Sequence, residues 1–70
     1  FRLAVVNANV PNMLGQISTV LAEAGHNILD MLNKSRGELA YTLVDVETSL
    51  SDACLNRLRG INGVLSVRTL

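Results

Sequence analysis

Asn7-Ala8-Asn9-Val10-Pro11-Asn12-Met13-Leu14 is the stretch on which the fold turns. Upstream of it, Phe1–Asn7 carries two apolar sets, Leu3 and Val5 against Ala4 and Val6, the pattern of a central strand covered on both faces. Downstream, Leu14, Ile17, Val20, Leu21 and Ala24 recur at spacings of three and four, which predicts an amphipathic helix over about Asn12–Ala24. Pro11 divides the two patterns. It lacks the N–H that a sheet ladder needs, and its fixed φ suits the entry to a helix. The stretch therefore reads as a strand-to-helix corner, with Gly25 closing the helix.

The remainder continues the alternation. Asn27–Ser35, with Ile28, Leu29, Met31 and Leu32, reads as a second strand, and the polar turn Ser35-Arg36-Gly37-Glu38 folds it back on a third strand over Leu39–Thr48. In that third strand Ala40, Thr42, Val44 and Val46 form the inward set. Ser51 is the expected N-cap of a second helix whose face is Leu50, Cys54, Leu55, Leu58 and Ile61, ending near Gly60. Val64–Thr69 is the last strand, with Leu65 and Val67 expected inward. The order βαββαβ predicts an α+β, ferredoxin-like domain in which a four-stranded antiparallel sheet carries both helices on one face. Its other face would then be bare, exposing Ala4, Val6, Tyr41 and Leu43, an apolar area of the kind kept for a partner. Leu29 and Met31 on an edge strand invite pairing as well.

Seventy residues make one small domain, and a domain of that size buries only about 60% of its unfolded surface. One cysteine allows no internal disulfide, and there is no Cys/His cluster for zinc, so self-association or attachment to a larger protein is the expected support. The start at Phe1, already inside a strand-like run, suggests a module of a longer polypeptide. Six basic and six acidic side chains cancel without forming runs, which argues against nucleic acid and anionic membranes as partners. No apolar stretch approaches the roughly 20 residues of a membrane span, and a cytosolic location is the default.

No catalytic or metal-binding constellation is visible. His26 has no triad or metal partners nearby, Cys54 lies on an apolar helix stripe, and Asp45 and Glu47 read as a solvated strand face. The Asn33-Lys34-Ser35 glycosylation pattern lacks a secretory context and reads as chance. The asparagines carry more. Asn7, Asn9 and Asn12 crowd the place where the first helical turn leaves N–H groups unpaired and the helix dipole is positive, and Asn27 opens the second strand. As turn and cap residues they need no further role. As a cluster of amides they can hold the ammonium and hydroxyl groups of a zwitterion whose carboxylate meets the helix N–H groups of Met13 and Leu14. A phosphate cradle of the acylphosphatase type would ask for arginine and glycines in this corner, which has neither.

The run Asn9-Val10-Pro11-Asn12-Met13-Leu14, followed by Leu21-Ala22-Glu23-Ala24-Gly25-His26-Asn27-Ile28, resembles the ACT domain, whose usual corner is Asp/Asn-x-Pro-Gly-x-Leu and whose second strand opens Gly-x-Asn-Ile. The resemblance spans residues 1–70 as a single regulatory domain. Within the family, Leu43-Val44-Asp45-Val46-Glu47 and the tail Gly60–Arg68 are most similar to the C-terminal regulatory domains of bacterial 3-phosphoglycerate dehydrogenases. That likeness implies L-serine as a feedback effector, held by Asn9 of one copy and Asn27 of another. It further implies side-by-side homodimers through the second-strand edge, and NAD in the parent oxidoreductase but no cofactor in the domain. Two departures stand out. Asn7 occupies a position where the family often has histidine, and Asn12 replaces the corner glycine. An ACT module that only dimerises, or one that senses another small amino acid, is the alternative.

Overall fold

The computed structural model describes residues Phe1–Leu70. Six elements follow in the expected order: β1 Arg2–Ala8, α1 Met13–Glu23, β2 Ile28–Arg36, β3 Leu39–Val46, α2 Asp52–Arg59 and β4 Val64–Thr69. All strand pairs are antiparallel, and the sheet runs β2-β3-β1-β4, so β1 and β3 are central and β2 and β4 are edges. The ferredoxin-like α+β arrangement is thus observed. The third strand stops at Val46, two residues before its expected end.

Alternation sets the core. Leu3 and Val5 of β1 and Val44 and Val46 of β3 point to the helix side, where Ile17 and Leu21 of α1 and Cys54, Leu55 and Leu58 of α2 close over them. Each fully buried aliphatic contributes about 1.5–3 kcal/mol. The α2 cap is as expected, Ser51 Oγ accepting from the Cys54 N–H at 3.2 Å. Helix α1 ends in a Schellman turn: Gly25, at φ 84°, donates to Ala22 O at 3.0 Å and His26 to Leu21 O at 2.9 Å.

The apolar stripe of α1 differs from expectation at both ends. Met13 rather than Leu14 enters the core, Leu14 is 37% exposed, and Ala24 lies at the surface. Met13 lies four residues before Ile17 and so shares its face, while Leu14 falls at the edge of that stripe and Ala24 past the last helical turn. Asn12, which directly precedes the helix, takes a left-handed conformation (φ 64°, ψ 12°). Gly63 makes the room for Met13: its φ is 100°, and a Cβ there would lie 2.9 Å from Met13 Cε.

Leu65 is likewise outward, at 62% exposure, against the expectation that it pairs with Val67 in the core. The β1–β4 register shifts between Val6 and Asn7, so that Val6 faces Ser66 but Asn7 faces Val64. Leu65 is the extra residue of a β-bulge, and the bulge reverses the alternation for the start of β4.

Candidate functional site

The β1–α1 corner is fastened on two sides. The Asn9 N–H donates to Glu38 O at 2.8 Å and its Nδ2 to Gly37 O at 3.1 Å, tying the corner to the β2–β3 turn. The Ala8 N–H donates to Gly63 O at 2.7 Å, tying it to the start of β4. Between these ties opens a cavity of about 230 Å³ lined by Asn7, Asn9, Val10, Asn12, Met13, Leu14, Gly15 and Asn33. That is below the roughly 300–1,000 Å³ of drug-sized sites, so it suits a small ligand. No charged side chain lines it.

Five of the six residues expected from the sequence, Asn7, Asn9, Asn12, Met13 and Leu14, meet there. Asn27 does not. It is exposed, immediately before β2, and its carbonyl accepts from the Glu47 N–H at 3.2 Å. Asn33 lies six residues further along the same strand, roughly 20 Å away at the usual rise per strand residue. Within one copy the two belong to opposite ends of the sheet. Asn33 itself escaped the sequence reading, where it figured only as part of a glycosylation pattern. Four residues before the Gly37-Glu38 turn on the edge strand, it reaches the corner because β2 pairs with β3 with Asn33 opposite Thr42.

The amide chemistry can be assigned by following the hydrogen bonds. Asn7 Nδ2 donates to Ala8 O at 2.9 Å, so Asn7 Oδ1 is an acceptor. It receives the Thr42 hydroxyl at 2.9 Å, and Thr42 Oγ1 in turn accepts Asn33 Nδ2 at 3.0 Å. Asn33 Oδ1 is therefore left as an acceptor, as is Asn9 Oδ1, since Asn9 spends an N–H on Gly37. Asn7 is only 1% exposed. Its place is at the cavity floor, where it orients Thr42 and, through it, Asn33.

Opposite these acceptors stands the start of α1. The first helical bond runs from Gln16 N–H to Asn12 O at 3.1 Å, and Asn12 makes no side-chain cap. The N–H groups of Met13, Leu14 and Gly15 thus lie in the turn that no helical carbonyl can satisfy, at the positive end of the dipole. Asn12 controls access to them. Its amide folds over Gly15, where an added Cβ would collide with Asn12 Oδ1. On the far side of that amide a larger groove of about 330 Å³ runs between the helices, lined by Gln16, Thr19, Val20 and the Glu23–Arg57 ion pair among others. Asn12 and Gly15 line both cavities, so the Asn12 side chain is the partition. The smaller cavity is the better candidate, because there alone acceptor amides face a helix N-terminus.

Solved structures with this architecture have been determined. The crystal structure of the ACT domain from GTP pyrophosphokinase of Chlorobium tepidum superposes with a TM-score of 0.81, covering 99% of this chain and 94% of that one at 19% identity. The chain folds as an ACT domain. The regulatory subunit of aspartate kinase from Thermus thermophilus, in its ligand-free form, gives a TM-score of 0.73 at 14% identity, over 97% of this chain and 49% of that one. In sequence, the chain resembles a segment of D-3-phosphoglycerate dehydrogenase from Haemophilus influenzae, 30% identical over 69 residues. The match takes in 99% of the chain and 17% of the enzyme's length. No family model matches the sequence. No helix is long and apolar enough to cross a membrane.

Proposed function

We propose that the chain is an amino-acid-sensing regulatory domain whose effector is L-serine, bound at the β1–α1 corner. The observation that carries this reading is the opposition of two free acceptor amides, Asn9 Oδ1 and Asn33 Oδ1, to the uncapped N-terminus of α1. A zwitterion fits both sides at once: its ammonium and hydroxyl meet amide oxygens, its carboxylate the N–H groups, and the uncharged lining suits a ligand of no net charge. The likeness to D-3-phosphoglycerate dehydrogenase favours serine among small amino acids, and favours an NAD-dependent parent oxidoreductase of the cytosol in which this domain transmits feedback inhibition without catalysing a step.

Asn27 completes the site from a second copy. Antiparallel pairing of two β2 edges about a two-fold axis near Asp30 brings Asn27 of one chain beside Asn33 of the other. Serine then contacts two chains only when they are in register, so it stabilises that arrangement over others.

Isothermal calorimetry of the chain with L-serine, glycine, L-alanine and the branched amino acids tests the reading, with the oligomeric state followed by sedimentation. Saturable serine binding that Asn9→Ala and Asn27→Ala each weaken supports it. The Asn12 side chain over the first turn and the Thr42 hydroxyl already bound to Asn7 favour one rival, an ACT module that dimerises without a ligand. Silence across the panel in a confirmed dimer establishes that rival.

A further inference from the structure

The sheet face turned away from the helices has no cover within the chain. Register places on it Ala4 and Val6 of β1, Leu39, Tyr41 and Leu43 of β3, and Leu32 of β2. Tyr41 is 60% exposed, Leu32 48% and Leu39 45%. The charges on this face are sorted by row. Asp30 stands beside Asp45 at one end, while Lys34 beside Tyr41 and Arg36 beside Leu39 lie toward the other. Asp45 is already held by Arg2, Nε to Oδ1 at 2.7 Å and Nη2 to Oδ2 at 3.1 Å. The uncommitted charges are therefore an acid at one end of β2, two bases at the other, and Arg68 of β4 in the row of Ala4.

We propose that a second copy of this chain covers this face, sheet on sheet, about a two-fold axis lying between the sheets and perpendicular to the strands. Such an axis reverses the rows and keeps the columns. Asp30 then faces Arg36, Leu43 faces Tyr41, and Ala4 faces Val6, each contact occurring twice as an isologous interface requires. Lys34 lies over Leu32, its alkyl stem on the apolar patch and its ammonium beside Asp30 of the other copy. The other in-plane axis, along the strands, sets β2 over β4. It leaves Leu32 against Arg68, and the opposite charges it brings together, Asp45 and Arg2, are already paired within each chain. The twist of each sheet accommodates the chosen stacking at the usual angle of about −30°.

Four strands of about seven residues make a face of roughly 19 by 23 Å, on the order of 400 Å² per copy. This is about half of what a standard interface buries on each partner, so the pairing is weak and depends on chain concentration. It uses none of the amide corner, and it leaves the β2 edge free to pair at the same time.

Sedimentation equilibrium of the chain at low salt, from about 20 μM to about 2 mM, reads the association over the range expected of an interface this small. The expected result is a monomer–dimer equilibrium that Tyr41→Glu weakens at least tenfold. Arg36→Asp and Asp30→Arg should each weaken it, and the two together should restore it, because they re-form the pair with its signs exchanged. Tyr41 is exposed on a central strand, away from the β2 edge, so its substitution separates the two modes, and circular dichroism confirms that the variant is folded. A wild-type chain that stays monomeric throughout, or a Tyr41→Glu variant that dimerises like wild type, overturns the proposal. The latter result would assign the association to the β2 edge.

Discussion

Asn12 bears the most structural tension in the corner. It is the one residue other than glycine with positive φ, a conformation that costs most L-residues about 1–2 kcal/mol and asparagine less. Asn12→Gly should hold stability within about 1 kcal/mol of wild type, while removing the partition over Gly15 and tightening effector binding. Asn12→Val, β-branched in the same conformation, should lose about 1–2 kcal/mol. Urea unfolding and calorimetry on the two variants check both statements. Thr42 makes a different argument, from a buried hydroxyl that donates to Asn7 and accepts from Asn33. Thr42→Val strands Asn7 Oδ1 at the cavity floor and should cost about 1–3 kcal/mol in urea unfolding. It should also weaken binding, since Asn33 loses the group that orients it. Asn7, Asn9 and Asn12 could be found in the sequence because they adjoin the Pro11 corner. Asn33 could not, since only the β2–β3 register reveals that it faces Thr42 from nine residues away.

At the scale of the elements, the pattern of apolar residues was sufficient wherever a strand or helix is regular. Strand β3 alternates without interruption, and its inward set, Ala40, Thr42, Val44 and Val46, is buried as the alternation implies. The pattern misled at irregularities. Periodicity assumes a fixed phase, and the bulge at Leu65 shifts that phase by one position. This gives a paired prediction. Leu65→Ser should change stability by no more than about 0.5 kcal/mol, because the side chain is already outside. Leu58→Ala, in the closed core over the sheet, should cost about 2–5 kcal/mol. Thermal or urea unfolding of the two variants side by side decides it, and similar losses for both would place Leu65 in the core after all.

At the scale of the whole molecule, the sheet joins two faces with separate duties: helices and core on one, an apolar surface with segregated charge on the other. The Arg2–Asp45 pair clips β1 to β3 on the open face. The hydrogen bond from Arg2 holds the Asp45 carboxyl below its ordinary value of 3.8, so its contribution is complete above that pH and is lost as pH falls through the lower folded value. Acid titration of stability should therefore be shallower in Asp45→Asn than in wild type below about pH 4. The βαββαβ order, and with it the ACT fold, follows from the sequence, because the corner, the turn at Gly37 and the caps at Gly25 and Ser51 are local features. The distance of Asn27 from the corner is not local, and under the proposed pairing of two β2 edges it makes the complete site a property of two chains. The central claim is that the corner binds a small amino acid, and an NMR titration with L-serine tests it most directly. Binding at the corner should give saturable shifts in the side-chain amides of Asn9 and Asn33 and the backbone amides of Met13, Leu14 and Gly15. Resonances that stay fixed at the corner at millimolar serine, or that move only along the groove between α1 and α2, would contradict it.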